Sequence, residues 1–240
     1  MNLGRHFTLV LLVIGCFTFV AQAQQKSTLK PVKINGKWGY AGKDGKVVVQ
    51  PQYDQALPFK DGFGKVGVRD SRVANDKDEL AFMWGFINEA GGVVVKPEYH
   101  YVRDFSDGLA AVGQSQFTNL PKHNRGLYFD DLHWGFVDRA GSLVVPLAYS
   151  RVGDFSEGLA AVSVDEDRGL CRTHGKFGYI DKTGAVLIKP EYGMALQFKD
   201  GKARVGRGLI EYVGRCLCCN PEFRGEWGYV DKNGKFTADK

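Results

Sequence analysis

Lys176–Val205 reads KFGYIDKTGAVLIKPEYGMALQFKDGKARV, and three similar strings and a shorter fifth fill most of the chain. Each copy opens with an aromatic residue, then a glycine, then tyrosine or phenylalanine. A phrase repeated at this spacing predicts a repeat architecture before any single residue is interpreted. The opening aromatics include every tryptophan of the 240-residue sequence, and they are Trp38, Trp84, Trp134, Phe177 and Trp227.

Positions within a copy are numbered here by their offset from the opening aromatic. Glycine stands at offset 7 in all five copies; tyrosine at 15, phenylalanine at 21, glycine at 24 and valine at 28 recur in the first four. No insertion breaks these registers, whereas the connector between one closing valine and the next aromatic varies in length. A β-repeat domain is therefore assigned to residues 35–240, with frames 38–66, 84–112, 134–162 and 177–205 and a closing half-unit 227–240.

The frame has the residue pattern of β-structure. Rings and β-branched residues at its start suit a half-buried pleated surface, and a turn such as Asp181–Gly184 follows. A short apolar run such as Val186–Ile188 predicts a strand covered on both faces. Proline then predicts the end of that strand or an edge. The prolines are Pro51, Pro97 and Pro190; Pro146 comes one place early, which leaves the pairing of the third frame open.

A second turn precedes a third strand in each frame, and we call it the acid turn. The four acid turns are Phe59–Gly62, Phe105–Gly108, Phe155–Gly158 and Phe198–Gly201. A unit of three short strands cannot bury its apolar face alone and needs stacked neighbours. The sequence therefore predicts an all-β fold in which tandem β-meander repeats stack as an open array.

The main alternative is a β-propeller-like closed ring, because opening aromatics 43 to 50 residues apart also suit propeller blades. A ring is commonly sealed when one terminus supplies strands that the other lacks. Here the first frame begins with the aromatic phrase and the last copy ends after that phrase and its turn. The ends duplicate each other, which favours an open array with 227–240 as a terminal half-repeat cap.

These positions resemble the WG repeat family of bacterial proteins. The family's phrase resembles K-W-G-[FY]-[IV]-D-x-x-G-x-[VL]-[VI]-x-P-x-Y, followed by F-x-[DE]-G-L-A-x-V, and Lys176–Val205 is the best single match despite Phe177. The resemblance covers nearly everything from Asn35 onward. It implies a β-repeat array, usually without a known activity, and it supplies no catalytic residue.

The first residues have the pattern of an export signal. A positive start, an apolar stretch from Phe7 to Ala21 and a small-x-small site ending at Ala23 predict a cleavable signal peptide at residues 1–23. Residues 24–34 are assigned to an N-terminal linker. The apolar stretch is short for a membrane span of about 20 residues, and no later segment predicts a transmembrane span.

A lipid anchor is the alternative at this end. Val13–Cys16 is similar to a bacterial lipobox, which would make Cys16 a lipidated N-terminus, although apolar residues follow it. We therefore expect a periplasmic or extracellular protein, with a membrane-anchored lipoprotein as the alternative.

Four cysteines remain beyond the signal peptide, all in the last two connectors. In an oxidising compartment an even number of thiols predicts disulfides, and their pairing is left open. The alternative is a thiol-based metal or redox site, because closely spaced thiolates and a C-x-x-H pair could bind zinc or copper(I). The residues concerned are Cys171, His174, Cys216, Cys218 and Cys219.

The repeated acids Asp61, Asp107, Glu157 and Asp200 could be taken for catalytic carboxylates. Paired catalytic acids need unlike environments, whereas these four have equivalent places in four frames. Turn formation before glycine explains them without chemistry, and periodic opening rings predict core positions. No nucleophile or metalloprotease motif is present. The sequence therefore predicts a protein that is not an enzyme, with no catalytic residue and no cofactor.

The net charge and its distribution limit the classes of partner. The net charge of +5 is spread along the chain without basic runs, which argues against nucleic acid as a partner. The variable connectors hold charges and aromatics, and stacked units gather equivalent insertions on one edge. We expect a binding or structural module with an unknown envelope protein or polymer as partner; the connectors are residues 69–83, 113–133, 163–176 and 206–226.

Overall fold

The computed structural model describes residues 29–71, 81–115, 132–164, 175–212 and 221–239, with the backbone alone for 209–212 and 221–222. Within these residues the named elements are all β-strands, arranged as five antiparallel sheets in chain order. Successive sheets follow one another in tandem and none closes into a barrel. The predicted all-β open array is confirmed.

The strands are grouped here by sheet. Sheet 1 contains β1 (Lys30–Ile34), β2 (Lys37–Ala41) and β3 (Val47–Tyr53). Sheet 2 contains β4 (Gln55–Ala56), β5 (Phe63–Arg69), β6 (Phe82–Asn88) and β7 (Val93–Tyr99), and sheet 3 contains β8 (Tyr101–Val102), β9 (Leu109–Ser115), β10 (Leu132–Asp138) and β11 (Leu143–Tyr149). Sheet 4 contains β12 (Arg151–Val152), β13 (Leu159–Ser163), β14 (Phe177–Asp181) and β15 (Val186–Tyr192), and sheet 5 contains β16 (Met194–Lys199), β17 (Lys202–Tyr212), β18 (Pro221–Asp231) and β19 (Phe236–Ala238).

The sheets are out of phase with the sequence frames. The last strand of one frame pairs with the aromatic strand of the next: β5 pairs with β6 and places Val66 opposite Gly85. The variable connector therefore joins two neighbouring antiparallel strands of one sheet, and its length does not alter the pairing of these strands. The connectors are also shorter than the sequence suggested, because β5 continues to Arg69 and β6 begins at Phe82.

Both end sheets are completed by local segments. In sheet 1, β1 lies within the stretch assigned to the linker and pairs with β2 through the two-residue Asn35–Gly36 turn, both residues having positive φ. In sheet 5, β18 and β19 of the closing half-unit complete a sheet begun by β16 and β17. Neither end sheet therefore needs a strand from the opposite terminus.

A backbone approach explains the glycine that follows each opening aromatic. In sheet 1, Trp38 pairs with Tyr53 but Tyr40 pairs with Val49, so β3 has extra residues in a bulge opposite Gly39. A Cβ on this glycine would overlap the Val49 carbonyl oxygen, and backbone blocks the equivalent position in the other four copies. This close approach of the two backbones therefore requires glycine.

Proline lies in the same bulge. Pro51 lies inside β3, so proline does not end the strand, but β3 is an edge strand of its sheet and the alternative that proline marks an edge is confirmed. The bulged residues have no ladder partner, so the missing N–H of proline leaves no ladder hydrogen bond unmade. In the third frame Trp134 pairs with Tyr149 and Phe136 with Val145, as in the other frames. The early Pro146 leaves this pairing unchanged because its position also falls within the bulge.

The apolar run forms the outer edge strand of its sheet. Only its third residue is buried, at Val49, Val95, Val145 and Ile188. The prediction of a strand covered on both faces is wrong, because one face packs on the neighbouring sheet and the other meets solvent. The exposed members are Val48, Val93, Leu143, Val186 and Leu187, each 45% exposed or more.

The core lies between successive sheets. One cluster combines Tyr40 and Val49 of sheet 1 with Val66 and Ile87 of sheet 2, and three further clusters repeat the arrangement along the array. In the first four phrases the third residue is the fully buried ring, namely Tyr40, Phe86, Phe136 and Tyr179 at 0–1% exposure. The opening ring is buried only at Trp134; the others are half-buried, with Trp38, Trp84 and Phe177 packed against the core clusters, so their assignment to the core is confirmed in part.

Sheet 5 ends the array with a polar outer face. Position 25 is Phe63, Leu109 or Leu159 in the first three frames but the exposed Lys202 in the fourth. Tyr229 is 42% exposed, although its counterparts in the other sheets are fully buried. No further sheet is described beyond this face, and its polarity fits the predicted cap.

Candidate functional site

The acid turns place one carboxylate from each frame along the array. Lys60 and Phe63 exchange two backbone hydrogen bonds of 2.9 and 3.0 Å around Asp61 and Gly62. All four acids have φ of 51–53°, and glycines with φ of 76–89° follow them. Two consecutive positive φ values define the tight hairpin turn for which Asp-Gly is favoured. The acids therefore form turns, as the sequence predicted.

The carboxylates also link successive turns. Asp107 Oδ2 accepts a hydrogen bond of 2.6 Å from the Gly158 amide, and Glu157 Oε2 accepts one of 3.0 Å from the Gly201 amide. A serine in the turn makes a second link: Ser106 Oγ donates to the Phe155 carbonyl at 2.8 Å, and Ser156 Oγ to Phe198 at 2.7 Å. We call these paired bonds the rungs between acid turns.

A cation from the next hairpin completes each rung. Lys182 Nζ lies 2.7 Å from Asp107 Oδ1, and Lys232 Nζ lies 3.2 Å from Glu157 Oε2. Partial burial acts to raise the pKa of Asp107, but the bonds from Lys182 and Gly158 outweigh it and the pKa is lowered. The Gly201 amide lowers the pKa of Glu157. These carboxylates are ionised and engaged in binding the turns to one another.

The first gap, between acid turns 1 and 2, lacks the rungs. Lys60 replaces the rung serine, and its Nζ lies 2.9 Å from Asp104 Oδ2; Lys65 Nζ lies 2.6 Å from Asp104 Oδ1. No hydrogen bond of the described residues reaches the Phe105 carbonyl or the Gly108 amide. Arg139 donates to the Asp61 carbonyl, as Lys232 does to the Glu157 carbonyl in the third gap.

A cleft of about 500 Å³ opens at this gap. Arg103 forms one wall: its Nη1 donates to the Val152 carbonyl at 3.0 Å and lies 3.5 Å from Asp154, and its guanidinium stacks over Trp134. In the sequence, only the change from serine to lysine at position 22 points to this cleft. The lining residues are Lys60, Asp61, Lys65, Val102, Arg103, Asp104, Phe105, Ser106 and Asp154.

A buried histidine and carboxylate form a second polar cluster that sequence reasoning missed. His100 is 1% and Asp70 5% exposed, with His100 Nε2 3.9 Å from Asp70 Oδ2. Ser115 is also buried, but its backbone amide donates to His100 Nδ1 at 3.2 Å. With that lone pair engaged, His100 cannot take a proton from the serine as a general base. The cluster therefore stabilises the strand ends. In the sequence it is marked by position 16, which is His100 in the second frame but Asp54, Ser150 and Gly193 in the others.

The predicted thiol site and the signal peptide lie outside the described residues. This holds for Cys16, Cys171, His174, Cys216, Cys218 and Cys219. Among the residues that the structure describes, no group of three or more His, Cys, Asp or Glu side chains is placed to hold a metal ion. In that same part of the chain, no helix has the length and apolar character needed to cross a bilayer.

The sheets, bulged hairpins and linked turns define a tandem β-repeat protein. The family model for the WG containing repeat matches residues 38–70, 84–115, 134–166 and 177–208, together more than half of the chain. The chain belongs to this family, which confirms the resemblance seen in the sequence.

Further comparisons give no function. The chain is similar to a protein of unknown function from Bacteroides caccae, known from a crystal structure at 1.35 Å resolution. The two are 10% identical, with 89% of this chain and 79% of that chain covered and a TM-score of 0.30. No curated protein matches the chain.

Proposed function

We propose that this chain is a non-enzymatic binding or structural module of the bacterial cell envelope. The observation that carries the proposal is the use of the repeated acids. Asp107 and Glu157 each bind a turn amide and a lysine, so two of the four repeated carboxylates link neighbouring turns of the array. Export by a signal peptide at residues 1–23, to the periplasm or the cell exterior, is part of the proposal.

The proposed contact surface is the connector end of the sheets. The stems of the connectors are pairs of strand residues, Arg69 with Phe82 in sheet 2 and Ser115 with Leu132 in sheet 3. Because each stem lies at the same end of its own sheet, we expect the connectors to follow one another along one edge of the array. A regular scaffold with individual connectors is typical of repeat proteins that bind a partner.

The chain supplies a design for the test. Asn35–Gly36 joins β1 and β2 in the place where later sheets have a connector. We therefore replace residues 116–131 by Asn-Gly between Ser115 and Leu132, which retains both strands. The same exchange of residues 164–176, between the paired Ser163 and Phe177, is the matched variant.

Crosslinking in the native envelope, followed by mass spectrometry, measures capture by the full chain and by both variants. We expect each variant to keep its thermal transition within a few degrees, while at least one loses the captured partner. Capture that is unchanged in both single variants and in a double variant would contradict binding through these connectors.

The alternative function, a thiol-based metal or redox protein, has a separate test. Intact mass after alkylation, with and without reductant, counts the free thiols among Cys171, Cys216, Cys218 and Cys219. Stable disulfides and no bound metal would dismiss this alternative. Four free thiols with bound metal would replace the binding-module proposal.

A further inference from the structure

The first gap differs from the other two in one residue of the turn. The rung position is Ser106 in acid turn 2 and Ser156 in acid turn 3, and both hydroxyls donate to the phenylalanine carbonyl of the next turn. In acid turn 1 this position is Lys60, whose ammonium turns to Asp104. Among the described residues, none supplies the Phe105 carbonyl with the serine donor that its counterparts Phe155 and Phe198 have.

The lining of the cleft carries balanced charge. Its cations are Lys60, Lys65 and Arg103, and its carboxylates are Asp61, Asp104 and Asp154. Equal numbers give no net attraction for a free anion or cation. They do offer hydrogen-bond donors beside acceptors within one concave space, with the Phe105 carbonyl as a further acceptor.

The same lining argues against a peptide. Seven of the nine lining residues are polar or charged, and the two apolar ones are Val102 and Phe105, which are 9% and 7% exposed. Protein and peptide partners are anchored mainly by aromatic and arginine side chains in well-packed pockets from which water is excluded. Neutral hydroxyl groups both donate and accept, and they match a polar cleft without a burial penalty for unpaired charge.

We propose that the cleft of the first gap binds a neutral saccharide, with one sugar hydroxyl donating to the Phe105 carbonyl in place of the missing serine. The carboxylates of Asp104 and Asp154 accept from further hydroxyls, and Lys60 and Arg103 donate to sugar oxygens. The volume of about 500 Å³ lies within the usual range of small-ligand pockets. This inference deepens the proposed binding function and assigns it a ligand class at a surface distinct from the connectors.

The test is an amide-detected NMR titration of the purified full chain with D-glucose, N-acetyl-D-glucosamine, maltose and cellobiose. We expect saturable shifts at Ser106 and Gly108 for at least one of these sugars. Sodium acetate at matched ionic strength is the ionic probe and triglycine is the peptide probe. No saturable shift with any of the four sugars, or equal shifts with acetate or triglycine, would overturn the proposal.

Lys60→Ser is the decisive variant, because it restores the serine rung that the other gaps contain. The new hydroxyl satisfies the Phe105 carbonyl and the Lys60 ammonium is removed, so two hydrogen bonds to the sugar are lost and we expect binding to weaken by at least about tenfold. Lys199→Ser, at the same position of acid turn 4, is the matched control and retains wild-type binding. Binding that is unchanged in the first variant, or equally weakened in the control, contradicts the assignment.

A third variant separates closure of the gap from loss of a contact. Lys60→Ala removes the ammonium without supplying a rung, so we expect it to bind sugar more tightly than Lys60→Ser. Equal binding by these two variants would overturn the role of the rung. The connector variant lacking residues 116–131 keeps the cleft, so sugar shifts that persist there distinguish this inference from failure of the connector proposal.

Discussion

The glycines at positions 1 and 24 recur in the frames for different physical reasons. Gly85 faces the backbone of its own edge strand, where a Cβ would overlap the Val95 carbonyl and crowd Pro97. Gly62 has open space around its Cβ position but a φ of 86°. The first glycine is fixed by contact and the second by backbone conformation.

Substitution by alanine should separate these two reasons. We expect Gly85→Ala to lower the free energy of unfolding by about 3 kcal/mol, because the bulge must move to relieve the overlap. Gly62→Ala should cost about 1 kcal/mol, the usual penalty for a side chain at positive φ. Urea denaturation of both variants measures the difference, and equal losses would contradict the contact at Gly85.

The rung carboxylates predict a pH dependence of stability. The pKa of Asp107 and that of Glu157 are lowered in the folded state, from ordinary values of 3.8 and 4.5. The folded chain then binds fewer protons than the unfolded chain, so this stability is present above the ordinary values and is lost as pH falls through the folded ones. We expect Tm to fall on acidification below pH 4.5.

Removing both charges should reduce that sensitivity. The double variant Asp107→Asn, Glu157→Gln is expected to have a lower Tm than wild type at pH 7 and a shallower fall in acid. Glu89→Gln changes an exposed acid outside the rungs and serves as the control. Differential scanning calorimetry from pH 7 to pH 3 gives both slopes; identical slopes for wild type and double variant would show that the rungs add no stability.

At the level of the strands, the sequence predicted the elements and missed their phase. The turns at Asp181–Gly184 and at the acid turns follow from side-chain chemistry that acts within a few residues. The pairing of β5 with β6 across a connector depends on tertiary contacts, and nothing in the spacing distinguishes it from pairing within a frame. The cleft was missed for the same reason: Lys60 matters only because acid turn 2 lies beside it.

At position 25, the residue type depends on whether the sheet is covered by a further sheet. Leu109 packs between sheets 3 and 4 and is 7% exposed, whereas Lys202 occupies the same position on the outer face of sheet 5. Leu109→Lys would bury an ammonium among apolar residues, and we expect it to cost about 3 kcal/mol or more. Urea denaturation measures this loss.

The reciprocal change tests the polar cap. Lys202→Leu should leave the free energy of unfolding within about 0.5 kcal/mol, since the residue is exposed. It adds an apolar side chain beside the exposed Tyr229, so we expect association that increases with concentration. Sedimentation velocity measures this, and a strictly monomeric variant would contradict the view that polarity ends the array.

At the scale of the whole molecule, we expect each sheet to be stable only when it packs against a neighbouring sheet. Each core cluster contains residues of two successive sheets, so stability is expected to be a sum of nearest-neighbour contributions. A chain shortened at a sheet boundary loses one interface and keeps complete sheets. A chain shortened at a frame boundary keeps strands whose partners are missing.

Two shortened chains distinguish these cases. A chain ending at Gly193 retains sheets 1 to 4, whereas one ending at Val205 adds β16 and part of β17 without β18 and β19. Two strands without a third are marginally stable, so trypsin should cleave the longer chain at Lys199 or Lys202 while sparing these bonds in the full protein. Mass spectrometry of the digests identifies the cut sites. Equal protection of Lys199 and Lys202 in both proteins would mean that the sequence frame, and not the sheet, is the folding unit.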